Sequence, residues 1–382
     1  MKKLILCLTV VAAIHGMIST GHAEEKYVAG GFEASGHINT GFGFNQVGKD
    51  TIFSGATLGR DGWTGFANAV RDTEFGFLLD EVELDLTKTF GENIKFRTDI
   101  DFGDATIGSF GALRLEQAYV TSNIAAGNGV ELLFGRFDAP IGFESVDRND
   151  NDTITRSSLF NFNIRPRTLT GVKLYYAFSD AVDLHFYLAN NLRDGIAAFN
   201  ADSTIIPAIG TRVGYTWGEE GTESTVGLSV AASPETPKAG KKLGILSYLG
   251  DLVWNIWLAD AFALGGEGIF RINSKNSLIA GSTKTTLFGG ILNLNYVFSD
   301  VWDGTLKYAL LRSNAGGSPI DAFDHVGFTV GKGLLHELSL AGGYQITDGA
   351  KFKAEYRADY TKYTGALKNL SHAVVGQMEY AF

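Results

Sequence analysis

Cysteine and proline are almost missing from this chain, and each shortage excludes a class of structure. The single cysteine among 382 residues, Cys7, lies in the apolar run near the N-terminus. A disulfide scaffold, a thiolate zinc site and a cysteine nucleophile are therefore excluded. Proline occurs 6 times while glycine occurs 48 times. That combination argues against disordered and collagen-like chains.

The chain begins with the features of a secretory signal peptide over residues 1–23. Lys2 and Lys3 precede an apolar run at 4–14, and small residues, Gly21 and Ala23, lie at the predicted cleavage site. The run is too short to span a bilayer as a helix. Removing residues 1–23 leaves 30 basic and 42 acidic residues, so the mature net charge is 30 − 42 = −12. This balance argues against nucleic-acid binding.

No later stretch has 18 uninterrupted apolar residues, so a closed β-barrel is the remaining way for this exported chain to cross a membrane. The pattern at 351–360 supports that interpretation. Its odd positions carry all the charges, and its even positions read Phe352, Ala354, Tyr356, Ala358 and Tyr360. Period two with every charge on one face is typical of a strand with one wet and one apolar face.

The same alternation predicts an all-β fold, a transmembrane antiparallel barrel of about 16 strands. The strands are expected near 31–45, 74–90, 93–103, 112–123, 129–138, 168–178, 181–190, 207–217, 223–232, 247–258, 261–272, 284–298, 301–313, 335–346, 350–361 and 370–382. Seven short and eight long connections alternate, as in barrels with short periplasmic turns and long extracellular loops. Residues 24–382 are thus one domain. Residues 323–331 also alternate, and we assign them to a loop that could plug the pore.

Aromatic residues recur beside the predicted short turns. The run Tyr176-Ala177-Phe178-Ser179-Asp180 is echoed at 296–300, and Phe90, Trp217 and Trp257 occupy equivalent strand ends. We interpret them as a periplasmic-side girdle, with plain β-propensity as the alternative. The last residue, Phe382, follows alternating apolar residues and resembles the C-terminal signal read by the barrel assembly machinery. These features predict the outer membrane of a Gram-negative bacterium.

Residues 133–145 read Leu-Phe-Gly-Arg-Phe-Asp-Ala-Pro-Ile-Gly-Phe-Glu-Ser. They resemble a segment of the OmpL-like outer-membrane β-barrel porin family. Similar segments occur in phosphate-selective porins. The resemblance continues at 147–149, 156–162 and 168–172 and includes the hairpin at 80–103. It covers about the first half of the mature chain and implies an outer-membrane pore, without implying a substrate.

Charged strand residues are expected to face the lumen, because lysine or arginine on the lipid face near the midplane costs ~2–4 kcal/mol. The predicted pore-lining residues are Glu81, Glu83, Asp85, Arg97, Asp99, Asp101, Arg114, Glu116, Arg136, Lys173, Lys353 and Arg357. A symmetric turn at 104–111 would place Arg114 opposite Asp101 and Glu116 opposite Asp99. A wall of paired charges with no role in transport is the alternative for each residue.

The third long connection, 139–167, is the candidate constriction loop, because it combines charges of both signs with apolar anchors. Its charged residues are Glu144, Asp147, Arg148, Asp150, Asp152, Arg156, Arg165 and Arg167. We assign no metal site. Alternating oxygen-bearing side chains at Asp147, Asn149 and Asn151 leave calcium as an alternative, although the glycine and glutamate of an EF-hand loop are missing.

The sequence thus predicts a porin for passive diffusion of small hydrophilic solutes or ions, without a cofactor. No GxSxG, HExxH or P-loop motif lies in a suitable context, so we expect no enzyme. The expected partners are membrane lipid, the assembly machinery and small polar solutes, and a homotrimer is the oligomer considered. A non-conducting adhesin, receptor or anchor is one alternative, and a phosphate- or sugar-selective channel is another. The net charge predicts weak cation preference, which the arginines of 139–167 oppose.

Overall fold

The fold was analysed in a computed structural model. It describes residues 27–29, 31–47, 73–102, 113–161, 164–192, 206–236, 245–274, 284–314, 333–363 and 369–382. The predicted signal peptide and the strand-like residues 323–331 lie outside these ranges. A short strand, β1 (Tyr27–Ala29), pairs with the beginning of the first long strand.

Sixteen long strands follow along the chain. They are β2 (Phe32–Val47), β3 (Thr73–Phe90), β4 (Ile94–Phe102), β5 (Leu113–Ile124), β6 (Val130–Asp138), β7 (Thr168–Ala177), β8 (Val182–Ala189), β9 (Ala208–Trp217), β10 (Ser224–Thr236), β11 (Ile245–Ala259), β12 (Phe262–Asn273), β13 (Thr285–Ser299), β14 (Trp302–Ser313), β15 (Gly333–Thr347), β16 (Ala350–Tyr363) and β17 (Asn369–Ala381). Each of them begins within two residues of its predicted start.

The sheet closes on itself. Each long strand pairs antiparallel with the next, and β17 pairs with β2 through partners such as Gly376 and Phe42. Phe382 extends the pairing of β17 with β2, because its backbone exchanges two hydrogen bonds with Gly36. Closure removes the unpaired edges that an open sheet would present. The predicted all-β barrel of sixteen antiparallel strands is confirmed.

Helical structure within the described residues lies in the connection between β6 and β7. It consists of a 3-10 turn at Arg148–Asp150 and one turn of α-helix, α1 (Ser158–Asn161). No helix in the described part of the chain combines the length and the apolar character that a membrane crossing requires.

The outer face of the barrel is apolar, and aromatic pairs lie on it beside the short turns. Tyr176 and Phe178 meet edge to face at 4.9 Å, as do Tyr296 and Phe298. The interpretation of Trp257 as an outer-face residue is wrong. It pairs with the buried Ala263 and lies on the inner face, since it follows Asp251 at even spacing.

Candidate functional site

The inner wall of the barrel is charged, and the alternation along β16 shows how the sequence achieves this. Lys353, Glu355 and Arg357 are buried on the inner side, whereas Tyr356 is exposed on the outer side. The inward charges are paired. Lys353 Nζ lies 2.8 Å from the Glu379 carboxylate, and Arg357 lies 2.5 Å from the Glu337 carboxylate.

Residues 139–167 are hereafter called the inward segment, and its described parts, 139–161 and 164–167, lie against this inner wall. At its beginning, the backbone N–H of Gly142 donates to Asp251 Oδ2 on β11 (2.8 Å). The N–H of Phe143 donates to Glu267 on β12 (2.9 Å). Further along, the Ser158 N–H donates to Glu337 on β15 (2.8 Å). Carboxylates that face the lumen therefore accept hydrogen bonds from the backbone of the segment.

Apolar side chains fix the same segment. Leu159, Phe160 and Ile164 are almost fully buried. Glycines on the inner wall provide the space for two anchors. A Cβ at Gly289 would lie 2.8 Å from Leu159, and one at Gly265 would lie 2.5 Å from Phe143. Our sequence analysis missed both glycines, and their only signal is a small residue at an inward position.

The arginines of the inward segment are used for attachment. Arg148 is 2% exposed, and its Nε lies 3.0 Å from Asp80 Oδ2 on β3. Arg165 donates to the carbonyl oxygens of Ile141 and Glu144. The guanidinium groups of Arg156, Arg165 and Arg167 surround the Phe160 ring at 4.4, 5.3 and 5.3 Å. Arg148, Arg156 and Arg165 are buried, whereas Arg167 is half-buried.

The carboxylates of the segment divide into a buried one and a more accessible group. Glu144 is buried and lies 2.7 Å from Lys307 Nζ on β14. Asp150 and Asp152 are exposed, and Asp147 is half-buried. Asp152 also accepts a hydrogen bond from Asn293 on β13 (2.7 Å). The charge that the segment exposes to solvent is thus mainly negative.

The pKa values of Glu144 and Asp147 shift in opposite directions. Burial alone would raise the pKa of Glu144, but Lys307 and the Ser157 donors outweigh it and hold that pKa below its ordinary value. Burial raises the pKa of Asp147, and the neighbouring carboxylates of Glu81 and Asp150 raise it further. Glu144 is therefore the better anion.

The predicted acidic residues of β3 and β4 come together on one side of the lumen. Glu83 lies opposite Asp101, and Asp85 lies opposite Asp99. Arg97 Nε lies 2.8 Å from Asp99. Across the next ladder Arg114 lies opposite Asp101, as expected.

The expected pairing of Glu116 with Asp99 is wrong, because β5 contains a bulge. Asp99 lies opposite Gln117, and the register shifts by one residue at Glu116. Glu116 and Gln117 are consecutive and both buried. A bulge re-aims a side chain in this way, since two residues then oppose one on the partner strand.

A second bulge, on β3, brings Asp80 to the inner side. Asn39 pairs with Glu81 and Thr40 pairs with Leu79, so Asp80 is the extra residue. Asp80 is fully buried and accepts hydrogen bonds from Gln377 (2.8 Å) as well as contacting Arg148. Strict alternation assigns this residue to the lipid side, so our sequence analysis missed it.

The remaining predicted pore-lining residues are spread around the wall. Arg136 on β6 donates to Thr168 Oγ1 (3.0 Å). Lys173 on β7 lies over the Phe137 ring at 5.1 Å. Lys353 and Arg357, on the far side, donate to the Asn151 and Arg156 carbonyl oxygens of the inward segment. The segment therefore covers the β16 charges and leaves the β6–β7 charges half-buried.

Several of these side chains are close enough to hold a cation. Glu83 belongs to three groups of three residues, and in each group the possible ligand atoms lie within 4.8 Å of one another. Its partners are His37 and Glu81 in the first group, Glu116 and Asp147 in the second, and Asp85 and Asp99 in the third. Of the calcium candidates predicted from the sequence, Asn151 uses its side-chain amide for hydrogen bonds within the inward segment. Asn151 Oδ1 accepts from the Ser145 N–H, and its amide group donates to the Ser145 and Asp147 carbonyl oxygens.

A family model described as "Putative beta-barrel porin-2, OmpL-like" matches residues 31–379. No curated protein sequence matches the chain. An anion-selective porin from Comamonas acidovorans is similar in structure, with a TM-score of 0.58 at 14% identity over 92% of this chain and 99% of that one. OprB from Pseudomonas putida gives 0.56 at 11% identity over 92% and 94%. In-vitro folded OmpT from Vibrio cholerae, described as a trimer form, gives 0.55 at 10% over 92% and 99%. The TM-scores of these three structures show a shared fold.

Proposed function

Because the chain belongs to the OmpL-like β-barrel porin family, we propose that it is a passive diffusion channel for small hydrophilic solutes and ions. The predicted family and the location in the bacterial outer membrane are confirmed by that match and by the porin fold of its structural neighbours. A barrel of sixteen strands is wide enough for an aqueous channel. Transport would run down the gradient of each solute.

The observation that carries the proposal is the attachment of the inward segment to the charged inner wall. Its backbone donates to Asp251, Glu267 and Glu337 on three different strands. Such contacts support a lumen that is narrowed by a fixed element. A narrow charged path selects by charge, because like-signed groups concentrate counter-ions and exclude co-ions.

Weak cation preference is the selectivity that the exposed charges favour. The most exposed charges of the segment are Asp150 and Asp152. Arg148, Arg156 and Arg165, which could oppose them, are buried in attachment contacts. Half-exposed cations elsewhere on the wall, such as Arg97 and Arg212, keep the preference small.

Reversal potentials across planar bilayers in a potassium chloride gradient test both parts of the proposal. We expect conductance steps and a permeability ratio that favours potassium. Replacing both exposed aspartates, Asp150→Asn with Asp152→Asn, should move the ratio toward chloride. The matched control, Glu219→Gln with Glu220→Gln, removes two exposed carboxylates of a short turn and should leave it unchanged. Chloride preference in the wild type, or no change in the first variant, would contradict cation selection by this segment.

One observation favours a second function, a non-conducting barrel that serves as an adhesin, receptor or anchor. Inner charges such as Lys353 and Glu355 are only 2% exposed, so the segment fills the adjacent part of the interior. A protein that inserts into bilayers without any conductance would select this alternative. Preference for chloride with block by phosphate would instead favour the phosphate-selective channel.

The partners of the barrel are part of the proposal. Outer-membrane lipid would contact the apolar outer face, and the assembly machinery would read Phe382. A homotrimer is supported by the trimer form described for one structural neighbour.

A further inference from the structure

The acidic side of the lumen holds more negative charge than its own cations offset. Two successive inward pairs across the β3–β4 ladder are both carboxylate pairs, Glu83 with Asp101 and Asp85 with Asp99. Like charges directly opposite each other destabilise a sheet. Glu116 and Asp147 approach the same place from β5 and from the inward segment. We call these six residues the acidic cluster.

Cations reach most of the cluster, but they reach Glu83 least well. Arg97 contacts Asp99 at 2.8 Å, and Arg114 lies 3.9 Å from Asp101 and 4.0 Å from Glu116. Among the described residues, the basic group that comes within 4.0 Å of Glu83 is the His37 ring. That ring nitrogen lies only 2.8 Å from Glu81, which is its closer partner.

The Glu83 carboxylate is also buried without a donor. The residue is 1% exposed, and neither of its oxygens accepts a hydrogen bond from any described residue. Glu116 is equally buried, and its Oε1 has no hydrogen-bond partner in the described part of the chain. Buried carboxylates are normally paired, hydrogen-bonded or bound to a metal ion. These oxygens therefore point to a positively charged ligand.

The chemistry of the group indicates which ligand fits. Glu83, Glu116 and Asp147 each offer an oxygen, and the three atoms lie within 4.8 Å of one another. Oxygen ligands at about 2.3–2.6 Å from a shared ion are typical of Ca²⁺, which tolerates irregular geometry. Mg²⁺ demands near-ideal octahedral geometry and keeps its waters. Softer metals prefer nitrogen or sulfur ligands, which this group lacks.

We propose that Glu83, Glu116 and Asp147 bind one Ca²⁺ ion, which fastens the inward segment to β3 and β5. The ion would offset the repulsion across the β3–β4 ladder. It would also attach the inward segment to the wall at Asp147, beside the contact between Arg148 and Asp80. The site requires the barrel and the segment only, so it does not depend on whether the lumen conducts.

Calorimetric titration of CaCl₂ into the chelator-treated, folded protein in detergent tests the site. We expect one bound ion per chain and much weaker binding of MgCl₂. Asp147→Asn should weaken Ca²⁺ binding at least about tenfold, because affinity follows the number of charged ligands. The matched control is Asp260→Asn, which removes an exposed carboxylate at a short turn outside the acidic cluster and should leave the affinity within about twofold.

A second measurement keeps the test independent of strand mutations that could impair folding. Ca²⁺ should raise the unfolding temperature of the wild type and of Asp260→Asn, but not of Asp147→Asn, because a ligand stabilises the state that binds it. The proposal fails if the wild type binds no Ca²⁺. It also fails if Asp147→Asn binds Ca²⁺ as tightly as the wild type.

Discussion

At the scale of single residues, the contact between Glu144 and Lys307 is the clearest attachment of the inward segment. Lys307 is 4% exposed, and its Nζ donates to Glu144 (2.7 Å), Thr153 Oγ1 (2.6 Å) and the Thr155 carbonyl (2.6 Å). Removing one partner of a buried ion pair leaves an uncompensated charge, which typically costs ~3–5 kcal/mol. Removing both partners avoids that cost.

We therefore predict that Glu144→Gln and Lys307→Met each lower the free energy of unfolding by about 3–5 kcal/mol. The double variant should lose less than the sum of the two. Urea unfolding in lipid vesicles, followed by heat-modifiable gel mobility, measures all three. Asp260→Asn, at an exposed short turn, is the control and should stay within ~0.5 kcal/mol of the wild type. Additive effects in the double variant would show that the two residues do not act together.

The contact between Glu144 and Lys307 should make the stability of the wild type depend on pH, and Glu144→Gln should lack this dependence. The pKa of Glu144 in the folded protein lies below its ordinary value. Its contribution to the free energy of unfolding is therefore complete above the unfolded pKa of about 4.3, and it is lost as the pH falls through the folded pKa. The wild type should lose this part of its stability in acid. Identical acid profiles for the wild type and Glu144→Gln would contradict the assignment.

At the scale of elements, the strands could be predicted because each one separates charged from apolar residues with period two. The alternation on β16 is an example, since it places Lys353 inside and Tyr356 outside. The bulges were missed because one phase of alternation was applied to each whole strand, whereas an extra residue reverses that phase beyond the bulge. For this reason sequence analysis missed Asp80 and mispaired Glu116. Trp257 was misplaced because its position beside a turn does not reveal its face.

The outer face of β15 gives a prediction for the element as a whole. Leu340 lies near the middle of the strand and is 59% exposed on the lipid side. Leu340→Arg should cost ~2–4 kcal/mol and reduce the fraction of folded, heat-modifiable protein. Leu340→Met is the matched control and should cost less than about 1.5 kcal/mol. Equal folding of the two variants would contradict the assignment of this face to lipid.

At the scale of the whole molecule, the inward segment connects distant parts of the wall. Arg148 attaches it to β3, whereas Phe143 and Ser158 attach it to β12 and β15. The composition of 139–167 suggested a constriction, because apolar anchors are unnecessary in a solvated loop. Which charges hold the segment and which face water could not be predicted. That division depends on partners such as Asp80 and Lys307, which are far away in sequence.

We propose that the inward segment sets the width of the diffusion path. The most direct measurement is the unitary conductance, in planar bilayers, of the wild type and of a variant with residues 144–158 replaced by a Gly/Ser linker of equal length. The control replaces 275–283, between β12 and β13, in the same way. We expect small steps for the wild type and the control, and clearly larger steps for the first variant. Equal conductance of all three proteins would contradict it.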